Sequence, residues 1–287
     1  MIIAFKTWKH LGDHAVLTAV LHNAALMYPD VQFTVDTVDK SLGYSDLFIN
    51  NPYYVETTKY DKWIGIEYAL NDRGTERTAK YGTLCYGAAR TGRYSLEKEL
   101  GIGVDVPTIN TAEFFLTEEE KHKYDYLGDY VLINAGFQNK YSTKSYPFYQ
   151  TIVDSRPDVK FVQMGGTKQD DVHKPLSGVT NLVGSTSVRD LICLIHSARC
   201  LISPPSGCVN IASGFPNTKV MCIIGGREPS KLLGYPNVTS FTSTICKGYG
   251  IQSGCMLRSC SNNTYVSDKL YPKCMCDVDP IEVSKHI

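Results

Sequence analysis

Three groups of residues in the 287-residue chain have the types and spacing to do chemistry. The first is Asp13, flanked by His10 and His14. A carboxylate or an imidazole here can take the proton of an attacking hydroxyl, a transfer that contributes about 10²–10⁴ in rate. The same aspartate at the start of a helix would also stabilise the helix dipole, a structural role of about 0.3–1 kcal/mol. Loop histidines are more often solvated, which ranks His10 and His14 below Asp13. The second group is a set of loops suited to an anion. Pro204-Pro-Ser-Gly207 precedes a short apolar helix, where Ser206, Gly207 and the backbone N–H groups that follow make a phosphate nest. Lys140 and Lys144 lie in an earlier loop, and Gly225-Gly-Arg-Glu-Pro229 forms a later one. There Arg227 can pair with a diphosphate and Glu228 with hydroxyls, or the two can form an ordinary loop ion pair. The third group is Cys246-x8-Cys255-x4-Cys260-x13-Cys274-x-Cys276, interleaved with Gly248, Gly250 and Gly254. With no secretion-signal layout, clustered cysteines favour a metal over disulfides, and four sulfur ligands suit zinc or iron. A basic set, Lys80, Arg90 and Arg93, reads either as a solvated face or as an acceptor cleft for phosphates or an acidic glycan.

The elements that must position these groups follow from apolar periodicity. Met1 to Phe5 is a buried strand and Lys6 to Gly12 a loop. A helix beginning at Asp13 carries Val16, Leu17, Val20, Leu21, Ala24, Ala25 and Met27 on its apolar face. Phe33 to Val35 and Trp63 to Tyr68 read as strands, Thr78 to Arg93 as a helix, and Leu100 to Asn110 as loop and short strand. A charged helix from Thr117 ends near Leu127-Gly128, and the domain boundary is expected there. A strand from Tyr130 to Gly136 opens the second half, followed by a helix from Pro147 to Val153 and a strand ending at Gly165-Gly166. That glycine pair lets the backbone approach a ligand closely. From Val179 to Ile224 the pattern is βαβαβ, with Ser187 capping a helix of Val188, Leu191, Ile192, Ile195 and Ala198. This is the half-unit of a parallel α/β sheet. Pro280 to His286 reads as a short helix packing back toward the first domain.

Composition narrows the class. The chain is 43% hydrophobic and 20% charged, the values of a globular protein. Lys+Arg and Asp+Glu are 29 each, so no overall field draws it to nucleic acid or to a membrane surface. No apolar run reaches the roughly 20 residues of a membrane span, and the N-terminus lacks a charged-then-apolar layout. The expectation is a cytoplasmic protein.

At Gly184, Thr186, Ser187, Arg189 and Leu191, and then Ser206, Gly207 and Ala212, the order of strands, helices and motif residues resembles the ADP-heptose heptosyltransferases and their relatives, glycosyltransferase family nine. Gly12-Asp13, Thr18, Leu21 and Tyr28-Pro-Asp30 resemble that family's opening motif. Phe33 to Thr37, Asn50 to Tyr53 and the Gly225-Gly226 loop resemble a subgroup, some of it phage-encoded. The resemblance implies a GT-B fold: two facing Rossmann-like domains, 1–127 on the acceptor side and 128–240 for the nucleotide sugar, with a Cys-rich metal finger and terminal helix over 241–287. It implies inverting transfer of a heptose or hexose-like sugar from a nucleotide-diphosphate sugar to a hydroxyl acceptor, with Asp13 as general base. It implies donor contacts from Gly136, Lys144 (Lys140 as substitute), Gly165, Ser206, Gly207, Asn210, Arg227 and Glu228. The tail resembles the four-cysteine iron finger of a subgroup that includes the autotransporter heptosyltransferases. That implies structural zinc or iron on Cys246, Cys255, Cys260 and Cys274, with Cys276 in reserve, and leaves room for a homo-oligomer. The chain departs from the family's D-[ST]-G-x-x-H pattern, with Pro205 in place of the Asp and Asn210 in place of the His. The acceptor is a glycan, a lipid, a protein side chain or a hydroxymethylated DNA base. The departures also sustain a rival reading as a non-catalytic nucleotide-sugar-binding protein, and the tail a second, an assembly subunit that oligomerises through it.

Overall fold

The computed structural model describes residues 1–7, 10–36, 44–66, 87–138, 142–166, 171–226, 233–245 and 259–287, with backbone alone at 87–91, 137–138 and 171–172. The chain divides into two compact units, Met1–Thr117 and Glu118–Ile287.

In the first unit, β1 (Ile2–Lys6) is the middle strand of a parallel sheet, between β2 (Gln32–Val35) and β3 (Lys62–Gly65). Phe5 and Phe33, on neighbouring strands, stack with centroids 5.4 Å apart. The following helix α1 (Leu11–Met27) starts two residues earlier than its apolar pattern suggests. It is buried on more than one side, as a helix apolar nearly all round must be. One flank is packed by α2 (Gly87–Leu100), so closely that a Cβ at Gly92 would come 2.7 Å from the Val20 methyls. No strand forms between 100 and 110. The polar side chains of α1 satisfy that backbone instead: Asn23 donates to the Ile109 carbonyl (2.8 Å) and accepts from its N–H (2.9 Å), and Thr18 Oγ1 accepts from Glu113 N–H (2.9 Å). The expected helix over 78–93 lies partly outside the described residues, and α2 runs on to Leu100.

The second unit opens with α3 (Glu118–His122) and a 3₁₀ turn (Asp125–Leu127) ended by Gly128 at φ 66°. The charged helix therefore belongs to this unit, and the boundary falls before it. The unit's main sheet has six parallel strands: β4 (Val131–Ile133), β6 (Phe161–Gln163), β8 (Thr180–Asn181), β9 (Cys200–Ser203), β10 (Lys219–Gly225) and β11 (Val238–Thr242). A small antiparallel ribbon, β5 (Gly136–Gln138) with β7 (Asp171–His173), extends from the ends of β4 and β6. The connecting helices are α4 (Tyr149–Asp154), α5 (Val188–Ser197) and α6 (Gly207–Ala212).

The strand order β11-β10-β9-β4-β6-β8 corrects one reading. The βαβαβ elements all form, but β8 and β9 are not neighbours. Helix α5, held by a full capping box between Ser187 and Asp190, returns the chain across the sheet and sets β9 beside β4. Strands added before and after that return run in opposite directions from β4, so the order reverses between β4 and β9. This is the order of a dinucleotide-binding sheet.

The C-terminal residues pack into this unit. After a hairpin of β12 (Asn263–Val266) and β13 (Lys269–Pro272) come α7 (Lys273–Cys276) and α8 (Pro280–Ser284). Cys274, Met275, Val278 and Val283 join a core built from Val131, Ile133, Tyr146, Tyr149, Ile152 and Met221. Helix α8 packs on α4, and Arg156 Nη1 donates to the Ser284 (3.1 Å) and Ile287 (3.3 Å) carbonyls. The terminal helix packs within its own unit because its apolar residues find a core there. Among the described residues no helix is long and apolar enough to cross a membrane.

Candidate functional site

Where strand order reverses in an open parallel sheet, neighbouring loops diverge from the carboxyl ends and leave a crevice that binds ligands. Here that point lies between β4 and β9. Continuing β4, Asn134 takes its place beside β9 through an N–H bond to the Ile202 carbonyl (2.9 Å). Its side-chain amide donates to Ser203 Oγ (3.1 Å) and Ser206 Oγ (3.4 Å) and lies 3.7 Å from Cys208 Sγ. Ser203 Oγ donates to the Pro204 carbonyl (2.8 Å) and sits 2.9 Å from Ser206 Oγ. With the Ser203 proton so used, Ser206 is the donor between the two hydroxyls. Its side chain turns into this network and makes no capping bond to α6.

Lys144 comes to the same turn from the other side. It ends a 3₁₀ turn (Ser142–Lys144) whose flanks, Thr143 and Ser145, are buried, and its ammonium donates to the Pro205 carbonyl at 2.8 Å. Lys144, Ser206 and Gly207 are therefore brought together around Pro204-Pro205. Asn210 faces elsewhere in part: its Oδ1 accepts the Tyr235 hydroxyl at 2.9 Å. Gly136 and Gly165 meet at the imidazole of His173, and a Cβ on either would collide with that ring. The space these glycines leave is filled by a side chain of the chain itself. Lys140, Arg227 and Glu228 lie outside the described residues.

Asn134, Ser203 and His173 were not singled out by the sequence. Asn134 carried a weak signal, a polar residue directly after an apolar strand. Ser203 and His173 carried none, because neither belongs to a spacing pattern.

In the first unit, Asp13 lies in the first turn of α1 and is half-buried. It is not the cap. His10 holds that position without a side-chain capping bond, and its carbonyl accepts the N–H groups of Asp13 (3.1 Å) and His14 (3.3 Å). The same carbonyl lies 3.0 Å from His14 Nδ1, which must therefore carry the ring proton. His14 is buried against Tyr44 (centroids 4.9 Å), and burial pushes its pKa down, against the opposing pull of the His10 carbonyl. At the same carboxyl edge Lys6 pairs with Asp36 (3.0 Å), which also accepts from Tyr60 (2.9 Å). Arg93 is structural: it donates to the Val106 carbonyl (2.7 Å), Asp105 (3.0 Å) and Glu97 (3.2 Å), clamping the segment that lies on α1. The reading of Arg93 as part of a solvated face is thereby corrected, and the side chains of Lys80 and Arg90 lie outside the described residues.

The tail hairpin brings two cysteines to one end. Asn263 pairs with Pro272 and Lys273 N–H bonds the Asn262 carbonyl (3.0 Å), so Cys260 and Cys274 flank the same open end of the ribbon. Asn262 N–H also donates to Cys260 Sγ at 3.3 Å. Cys274 is buried in the core, while Cys276 is half-buried, with burial pushing its thiol pKa up. Cys246 and Cys255 lie outside the described residues. Among the described ones no group of three metal-ligating side chains is assembled.

The sequence matches no protein-family model and no curated protein. Solved structures do match. The E. coli ADP-heptose LPS heptosyltransferase II aligns over 99% of this chain and 96% of its own, with 13% identity and a TM-score of 0.61. TibC, an iron-containing dodecameric glycosyltransferase of enterotoxigenic E. coli, aligns over 99% and 74%, with 15% identity and a TM-score of 0.60. E. coli heptosyltransferase WaaC with ADP aligns over 84% and 93%, with 12% identity and a TM-score of 0.57. At these identities the likeness is one of fold.

Proposed function

We propose that the chain is a GT-B glycosyltransferase that moves a sugar from a nucleotide-diphosphate sugar to a hydroxyl acceptor. The observation that carries this reading is Lys144 drawn onto the Pro204-Pro205-Ser206 turn at the switch point of a sheet whose fold is shared with heptosyltransferases. As the glycosidic bond breaks, the diphosphate gains negative charge, and an ammonium in a partly buried loop offsets it without reorganisation. Lys144 is that cation. Asn134 and the two serines fix the turn, leaving the backbone beyond Ser206 to the phosphates. Asp13 takes the acceptor's proton as its oxygen attacks the anomeric carbon, and with no enzyme nucleophile in the scheme the configuration inverts. The acceptor side is the first unit, Met1–Thr117, and the donor site lies in the second, whose last residues, 241–287, carry the metal finger.

The finger is read as structural. Its donor set is sulfur, suited to zinc or iron, and Cys260 Sγ receives the Asn262 N–H at 3.3 Å while lying 3.6 Å from the Asn262 carbonyl. Cys246, Cys255, Cys260 and Cys274 would hold the ion, Cys276 replacing Cys274 if burial keeps that thiol in the core.

One observation favours a second reading, a nucleotide-sugar-binding protein without turnover. Pro205 and Asn210 stand where the heptosyltransferases carry Asp and His, and Asn210 is engaged by Tyr235.

Calorimetric titration of the protein with ADP, UDP and GDP tests the donor site common to both readings. At least one should bind, and Lys144→Ala should weaken it by about tenfold or more, as expected for losing a charge-assisted bond. Undiminished affinity in Lys144→Ala removes Lys144 from the site.

A further inference from the structure

The turn that carries Lys144 is three residues of 3₁₀ helix, with a bond from Ser145 N–H to the Ser142 carbonyl (2.9 Å) at its end. The hydrogen-bond geometry of a 3₁₀ turn is poorer than that of an α-helix, so packing contributes much of its rigidity.

The C-terminal residues supply that packing. Strand β13 lies against the Ser142–Lys144 turn. Two residues past Lys144, the Tyr146 ring enters the core, edge-on to Phe148 (5.7 Å) and Tyr149 (5.2 Å), and its hydroxyl donates to the Val278 carbonyl at 2.9 Å. Burial pushes the Tyr146 phenol pKa well up, so it stays a donor throughout the physiological range. The tail is pinned from the opposite side as well. Ser243 Oγ, just beyond β11, donates to Asp277 (2.7 Å). Met275 Sδ lies over Gly225 at the end of β10, where a Cβ would come 2.5 Å from the sulfur. Gly225 also has φ 59°, so glycine is required there twice over.

We infer that the tail from β13 to Val278 is a brace that holds the Lys144 turn on Pro205, with Tyr146 as the positioning residue through which it acts on donor binding. The brace spans from the end of β10 to the lysine turn, on either side of the crevice at β4 and β9. A displacement of Tyr146 is passed along two residues of chain to an ammonium whose bond to Pro205 is 2.8 Å long. The inference rests on the donor-site reading.

A double-mutant cycle on the full chain tests it, reading by calorimetry the affinity for whichever of ADP, UDP and GDP binds the wild-type protein, and folding by thermal melting. Tyr146→Phe removes one hydroxyl and keeps the ring. It should melt cooperatively and bind that nucleotide severalfold more weakly, up to about tenfold if the whole worth of the buried hydrogen bond is coupled to binding. In the Lys144→Ala background the same change should matter by under about twofold, because its effect runs through the lysine. If Tyr146→Phe melts below assay temperature, Ser243→Ala loosens the other end of the brace and enters the same cycle. Wild-type affinity in the single variants, or an equal loss in both backgrounds, overturns the brace while leaving the donor site standing. If the wild-type protein binds none of ADP, UDP and GDP, the donor-site reading falls and the brace with it.

Discussion

His14 and Asp13 are neighbours in one helical turn, yet burial gives them different chemistry. The imidazole is inside, its Nδ1 proton committed to the His10 carbonyl, and its pKa lies below the ordinary 6.5. The carboxylate is half-buried at the carboxyl edge of β1. The sign of the resulting pH effect is fixed. Above 6.5 both folded and unfolded states hold neutral His14, and its contribution is fully present. As pH falls below 6.5 the unfolded chain binds the proton first, and stability declines through that window. Burial lowers the His196 pKa too, so the two residues share the slope. Melting temperatures between pH 5 and 8 should therefore drop on the acid side, and His14→Gln should flatten part of the drop. A His14→Gln protein with the full acid slope would show that His14 is not the titrating group. At this scale the sequence was legible where residues form motifs. Lys144 and Ser206, expected from the resemblance, do meet at one turn. Asn134 and His173 could not be named, since what places them is the meeting of β4 with β9 and of β5 with β7. Arg93 misled for the same reason: a charge in a basic run looks solvated until the segment it clamps is seen.

Among the elements, local signals gave good positions and poor neighbours. Ser187-x-x-Asp190 announces the start of α5 and the capping box is there, with Asp190 brought down to about 2: burial opposes ionisation, but the Lys123 ammonium and the Ser187 hydrogen bonds outweigh it. Nothing local says that β9 will then sit beside β4 instead of β8. That choice is made by sheet packing between residues as distant in the chain as Val131 and Cys200, about which a period of 3.6 or 2 carries no information. The tail is a similar case. Its cysteines drew attention to a metal, while Met275, Val278 and Val283, which tie it to the core, passed as ordinary apolar residues. If the finger is metallated, elemental analysis of protein purified without added metal should give close to one zinc or iron per chain, and Cys260→Ser should lower that content sharply. Metal-free protein with every tail thiol reactive would end the metal reading.

For the whole molecule, composition and an order of motifs sufficed to anticipate an α/β chain of two units with a parallel sheet in each. The boundary moved to Thr117/Glu118 because Arg189, largely buried on α5, holds Glu120 through a two-pronged ion pair (2.6 and 2.7 Å) that makes α3 part of the second unit. A polar helix between two domains carries no sequence mark of which one it will join. The proposed function draws on both units: Lys144 and the Pro204–Ser206 turn in the second, and Asp13 in the first. Nucleotide release from a panel of nucleotide-diphosphate sugars, followed in a coupled assay with hydroxyl acceptors, measures whether they work as one enzyme. The expected result is acceptor-stimulated release by the wild-type protein, lowered at least ~10²-fold in Asp13→Asn with donor affinity nearly unchanged. Release at the wild-type rate by Asp13→Asn, or no release from any donor by a wild-type protein that binds the nucleotide, would contradict the account.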